Sequence, residues 1–199
     1  MINSAKVVAI LRGITAEEAI EHVACLLEYG INTVEITTNS PGWDQSVQQI
    51  SRQFGERVRV GAGTVLTPEQ VETSALRGAG FILTPNLDFR VVTAAKRHGL
   101  DVCAGVFTSS EIFSACEMGV DVLKIFPAAA LPVNYPQLIK GPLSQASHFC
   151  AVGGVDIENA ADYLQYYDLV NRHTHFSQIA KSLRRIEAQY ADNLSVEAL

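Results

Sequence analysis

The feature that most constrains this chain is a rhythm. Short apolar, β-branched runs begin at residues 7 (VVAIL), 33 (TVEIT), 58 (VRVGAG), 81 (FILTP), 101 (DVCAGV), 122 (VLKIFP) and 149 (FCAVGG), at intervals of 20 to 27 residues. Segments with helical periodicity lie between them. In TAEEAIEHVACLLEYG, Thr15 is placed to cap the helix, Glu18 three residues on completes a capping box, and Gly30 stops it. Thr67 followed by Pro68 opens another helix, and Thr108 opens a third that Gly119 closes. Seven βα units at this spacing predict parallel strands joined by right-handed crossovers. An open doubly wound sheet fits the same pattern, but the regularity favours a (β/α)8 TIM barrel of α/β class, in one domain spanning residues 1–199. The tail SQIAKSLRRIEAQYADNL reads as a closing amphipathic helix, with Lys181, Arg184 and Arg185 on a solvated face.

One unit falls short. An eighth strand is due near residue 170, where YYDLVNRHTHF holds at most a stub. Either the fold has lost a strand, or the residues that would form it and the loop after it are missing between Gln165 and Asp168. A barrel without one strand exposes two edges, so the second reading is preferred.

Composition narrows the function classes. At 199 residues the chain is long enough for a sizeable core, and 48% hydrophobic with 18% charged residues is ordinary for a globular protein. A net charge of −6 with no basic block argues against nucleic acid or an anionic membrane as partner. The apolar run near the N-terminus is too short for a signal-peptide core, and nothing approaches the length of a membrane span. Cys25, Cys103, Cys116 and Cys150 are scattered in apolar contexts with no C-x-x-C pair, as expected for reduced thiols in a cytoplasmic protein.

Chemistry enters at DVLKIFP. Lys124 sits in an apolar strand with Val122 and Phe126 on its face and Leu123 and Ile125 on the other. An ammonium in such a place needs a partner or a purpose. In parallel βα architectures the C-terminal strand ends face substrate. Those ends carry Arg12, Glu35, Thr64, Pro85, Asn86, Lys124, Phe126, Gly153 and Gly154. Strand parity turns Glu35 inward with Thr33 and Thr37, and Arg12 shares the parity of Val8 and Ile10. A lone inward Lys or Glu is as readily a structural ion pair; Arg12, Glu35 and Lys124 at one end of the strands favour a site. Lysines in apolar surroundings beside a second cation are nucleophilic near neutral pH, the condition for a Schiff base with a carbonyl substrate. GAGT reads more readily as a tight turn than as a phosphate loop. The VGGV after strand seven is better placed for phosphate, although two glycines also simply let the chain turn. His22 and His98 fall in helices, His148 stands at the wrong end of its strand, and His173 and His175 lie in the doubtful segment, so no metal-ligand set is expected. No dinucleotide fingerprint occurs either. A cofactor-free lysine mechanism fits best. Competing readings are a phosphosugar epimerase or isomerase using Glu35 and Lys124 as acid and base, and a non-catalytic phosphate-binding barrel.

AILRGIT, VEITTNSP, VGAGTVLTPEQV, TPN, LKIFPA and AVGGV, in this order, resemble the 2-keto-3-deoxy-6-phosphogluconate (KDPG) aldolase family. NSPGW and the Val152 of AVGGV resemble the galactonate branch of that family more than the gluconate branch. The resemblance implies class I aldol cleavage of a phosphorylated 2-keto-3-deoxy sugar acid to pyruvate and glyceraldehyde 3-phosphate, by a homotrimer. Lys124 would form the Schiff base and Glu35 would act as general base. Arg12 and Thr64 would hold the carboxylate, with the phosphate as the alternative partner for Arg12. Pro85 and Phe126 would wall the pocket, and Val152 would contact the C4 region where the two substrates differ. Gly153 and Gly154 would offer backbone N–H groups to the phosphate-bearing half. The family's glycine-rich eighth strand and loop, which complete the phosphate cradle, have no counterpart here between Gln165 and Asp168.

Overall fold

A computed structural model describes residues 6–143, 147–156 and 158–173. Eight parallel strands close into a barrel in sequence order: β1 (Val7–Leu11), β2 (Thr33–Thr37), β3 (Arg59–Gly63), β4 (Phe81–Leu83), β5 (Asp101–Val106), β6 (Val122–Ile125), β7 (His148–Val152) and β8 (Leu169–His173). Helices α1 (Ala16–Glu28), α2 (Trp43–Phe54), α3 (Pro68–Leu76), α4 (Phe89–Arg97), α5 (Ser109–Glu117), α6 (Tyr135–Lys140) and α7 (Ala160–Leu164) connect them. This is the (β/α)8 barrel that the spacing predicts. The caps read from sequence form as expected. Thr15 with Glu18 and Thr108 with Glu111 make reciprocal capping boxes, and Thr67 caps α3 with Pro68 in its first turn.

The expectation of a missing eighth strand is corrected. β8 is formed by the segment read as a stub, pairing with β7 (Val152↔Asn171) on one side and with β1 (Val8↔Asn171) on the other. Five residues suffice because both edges are paired, so backbone hydrogen bonding replaces the long apolar run sought in the sequence. The loop expected after β8, His175 and the closing helix lie outside the described residues. Helix α7 is also shorter than DIENAADYLQ promised. Asp156 Oδ1 accepts from the N–H groups of Glu158 and Asn159, and Asn159 Oδ1 accepts from Asp156 N, so these side chains hold a turn ahead of the helix.

Strand registers stack the inward residues in layers drawn from alternate strands. From the base upward these are Thr33, Phe81, Val122 and Leu169; Val8, Gly61, Cys103 and Cys150; Glu35, Leu83, Lys124 and Asn171; then Ile10, Gly63, Gly105 and Val152 at the mouth. The lower layers are apolar apart from Thr33, and six of their residues pack with Leu83 and Val152 as one interior cluster. Outward residues form the second shell of the core. Val34 and Ile36 meet Val23 and Leu26 of α1 and Val47 and Ile50 of α2, while Ile82 and Val102 meet Val91, Val92 and Ala95 of α4. With both faces covered, the strands need no polar alternation, and the charges in the third layer stand out against their surroundings.

Candidate active site

Lys124 lies in β6 between Gly105 of β5 and Cys150 of β7. Its side chain is 7% exposed, and Nζ lies 5.1 Å from the centroid of the Phe126 ring. Among the described residues no carboxylate comes within 4.0 Å of this ammonium. A buried amine without an ion-pair partner is costly as structure and available as a nucleophile.

Glu35 stands in the same layer, two strands beyond Asn171, and is 3% exposed. Asn171 Nδ2 donates to Glu35 Oε2 at 2.5 Å. Space for the carboxyl comes from Gly63: a Cβ there would sit 1.5 Å from Glu35 Oε1. Burial pushes the Glu35 carboxyl above the usual carboxylate range, while Lys124, the Asn171 amide and Arg12 pull it back down. The result is a carboxyl shifted toward neutrality, as a group must be that both takes and returns a proton. Cys150 is no rival nucleophile, because burial, reinforced by Cys103, holds its thiol well above the ordinary value.

The mouth is built from strand ends. Arg12, just past β1, is exposed, and its Nη2 donates to Thr64 Oγ1 at 3.2 Å. Thr64 adopts the left-handed region (φ 58), a rare conformation for a β-branched residue. Thr38 Oγ1 donates to its carbonyl at 2.7 Å and holds it there. Gly153 (φ +85) and Gly154 (φ +78) turn the chain after β7. Their N–H groups meet no acceptor among the described residues. A Cβ on Gly154 would collide with Ala129 Cβ at 2.3 Å, and one on Gly153 would be tight against the Phe126 ring at 3.1 Å. Two free N–H groups in succession form a concave donor site for an anion.

A cavity of about 430 Å³ opens here, within the range of small-molecule sites. Of the residues singled out from the sequence, its lining includes Arg12, Glu35, Thr64, Pro85, Lys124, Phe126, Val152, Gly153 and Gly154, but not Asn86. Ile10, Val155, Asp156 and Asn171 also line it and were not foreseen. Parity with Arg12 could have found Ile10. Asn171 was hidden in the segment read as a stub, and only the register of β8 brings it inward. Among the described residues, no group of three or more His, Cys, Asp or Glu side chains is placed to hold a metal.

A buried amine without an ion pair, a buried carboxyl in the same barrel layer and free N–H groups at the rim suit a Schiff-base carbon–carbon lyase built on a (β/α)8 barrel. The chain matches the sequence model of the aldolase family described as KDPG and KHG aldolase over residues 1–186, and it belongs to that family. It is 43% identical over 157 residues to the 2-dehydro-3-deoxy-6-phosphogalactonate aldolase of Escherichia coli (strain K12), covering 79% of this chain and 77% of that one. To the KHG/KDPG aldolase of the same organism it is 33% identical over 149 residues, covering 74% and 69%. A solved structure described as native KDPGal superposes with a TM-score of 0.84 at 36% identity, covering 94% of this chain and 93% of that one.

Proposed function

We propose that this protein cleaves 2-dehydro-3-deoxy-6-phosphogalactonate to pyruvate and glyceraldehyde 3-phosphate through a Schiff base on Lys124. The observation that carries this reading is the unpaired, buried Lys124 in one barrel layer with the buried Glu35. Lys124 Nζ, as the free amine, adds to the C2 carbonyl, and loss of water leaves a protonated imine. Glu35 takes the proton of the C4 hydroxyl through a water molecule. The C3–C4 bond then breaks, its electron pair flows into the imine to give an enamine, and C4 leaves as the aldehyde. Glu35 returns its proton to C3, and water releases pyruvate and restores the lysine. A positioned acid–base group of this kind contributes ~10²–10⁴ in rate.

The rim accounts for the two anionic ends of the substrate. Arg12 and Thr64 hold the carboxylate, and the Gly153 and Gly154 N–H groups receive the phosphate-bearing half. Pro85 and Phe126 wall the pocket. Val152, paired with Asn171 at the mouth, faces the C4 region where galactonate and gluconate substrates differ. The identities of 43% and 33% to the two Escherichia coli aldolases support the galactonate substrate. We also infer a cytoplasmic homotrimer. Exposed Leu76, Phe89 and Leu138 fit association between copies, and four free cysteines fit a reducing compartment.

Borohydride reduction with pyruvate, followed by peptide mass mapping, tests the mechanism. A reduced pyruvyl adduct on Lys124 is expected. A folded sample without an adduct removes the class I reading and leaves the epimerase or isomerase alternative, which needs no imine. Rates on the two epimeric substrates test the specificity, with the galactonate compound expected to have the higher kcat/KM.

A further inference from the structure

Asn171 is placed where the barrel interior would ordinarily take an apolar residue. Two positions earlier on the same face of β8, Leu169 is apolar and fully buried, and the cluster beneath is apolar too. Asn171 is 1% exposed, and its two ends are treated unequally. Nδ2 donates to Glu35 Oε2, whereas Oδ1 is buried with no hydrogen-bond partner. A similarly branched leucine would leave no orphaned acceptor, so packing alone does not call for an amide at this position. What accounts for it is the donor that the amide supplies to Glu35.

We propose that Asn171 is a positioning residue for Glu35, fixing the orientation of its carboxyl and supporting it in both the forms through which a proton-transferring carboxyl must pass. To the carboxylate the amide presents Nδ2–H, as seen here. To the carboxylic acid the same amide, turned about its Cβ–Cγ bond, presents the otherwise idle Oδ1. Leucine can do neither, and aspartate matches only the acid without adding a second charge. The other groups facing Glu35 are Arg12 at the end of β1, Lys124 on β6 and the Cys150 thiol on β7. The role assigned to Asn171 in turnover rests on the aldol reading above, whereas its coupling to Glu35 does not.

The test uses Asn171→Leu and Asn171→Asp in the full chain, with two readouts. The first is the titration of the Glu35 carboxyl, followed by carbon-13 NMR and assigned with Glu35→Gln, which requires no substrate. Both variants are expected to raise the Glu35 midpoint: Leu by removing the donor, and Asp further by adding a like charge. The second is the pH profile of kcat. Its acid limb should move upward in the same order, with kcat at its plateau lowered ~10–100-fold, as for lost partners of other functional ligands. Pyruvate trapping on Lys124 should persist and reports that each variant is folded. A Glu35 midpoint unmoved in both variants overturns the proposal, whatever the activity. If wild-type protein traps no pyruvate, the aldol reading falls while the titration still decides the coupling.

Discussion

At the lower rim of the barrel, where strands begin, carboxylates are closed off by partners. Asp101 pairs with Arg59 at 2.7 Å. Asp121 Oδ2 accepts from Lys96 Nζ and from the Val102 N–H of the neighbouring strand, each at 2.7 Å. Asp168 Oδ2 accepts from the Phe149 N–H at 2.8 Å, with His148 3.4 Å from its other oxygen. At the upper end the same kinds of group are left open. Among the described residues Lys124 has no carboxylate within 4.0 Å, Arg12 donates to the Thr64 hydroxyl, and Glu35 is held by a neutral amide. Residue type therefore does not separate scaffold from site, and satisfaction of the charge does. The lower end clamps neighbouring and next-but-one strands together, whereas the upper end keeps charge available for a ligand.

The sharpest way to break this contrast is to remove one lysine from each end. Lys124→Met should abolish pyruvate trapping and reduce cleavage by on the order of 10⁴-fold or more, because the proposed nucleophile is gone. Chemical denaturation should find that variant at least as stable as the parent, since a buried ammonium has been replaced by an apolar side chain. Lys96→Met at the lower rim should leave kcat untouched. A large activity loss there would erase the distinction between the two ends.

Glu35→Gln comes next, with cleavage lowered ~10²–10⁴-fold while the fold is kept. Stability supplies an independent check with a definite sign. Because the carboxyl is raised in the folded state, the native protein binds more protons than the unfolded chain between the ordinary carboxylate value and the raised one. Wild-type stability from this group is therefore fully present below the ordinary value and is lost as pH rises through the raised one. Glu35→Gln lacks that decline. Parallel stability curves for the two proteins across that window would contradict the assigned shift.

Gly63→Ala should act through Glu35 without touching the chemistry directly. The new methyl would collide with the carboxyl, so either Glu35 moves or the strands part. A destabilisation of about 1–3 kcal/mol is expected, together with a fall in kcat larger than that in pyruvate affinity. Calorimetry and steady-state kinetics on one preparation would show both.

Much of this was legible in the sequence because two periodicities run through it together. The 20–27-residue spacing marks the barrel, and alternation within strands turns Glu35 and Lys124 inward while sending Val34, Ile36, Leu123 and Ile125 outward. Strand-end position then collects the rim residues. The eighth strand was misread because LVNRH has little apolar alternation of its own, and its existence depends on unpaired edges of β7 and β1, which no local window contains. Asn171 was lost with it. The clamping role of the lower-rim aspartates was invisible for the same reason: an Asp at a strand start looks like turn chemistry until the adjacent strand's N–H is in place.

That last point carries the smallest effect and the finest test. Asp121 holds both an ammonium and the buried Val102 N–H, and two substitutions separate them. Asp121→Ala removes both contacts and leaves a donor in the wall of the barrel without its acceptor, which should cost about 1–3 kcal/mol of stability. Asp121→Asn keeps an oxygen for Val102 and gives up only the charge. Because the Lys96 pair is partly exposed, at 35% and 25% for the two side chains, that loss should stay within about 1 kcal/mol and shrink further in salt. Neither variant should alter kcat. Were Asn as damaging as Ala, the ion pair rather than the strand clamp would be what Asp121 contributes, and the lower rim would depend on charge as directly as the mouth does.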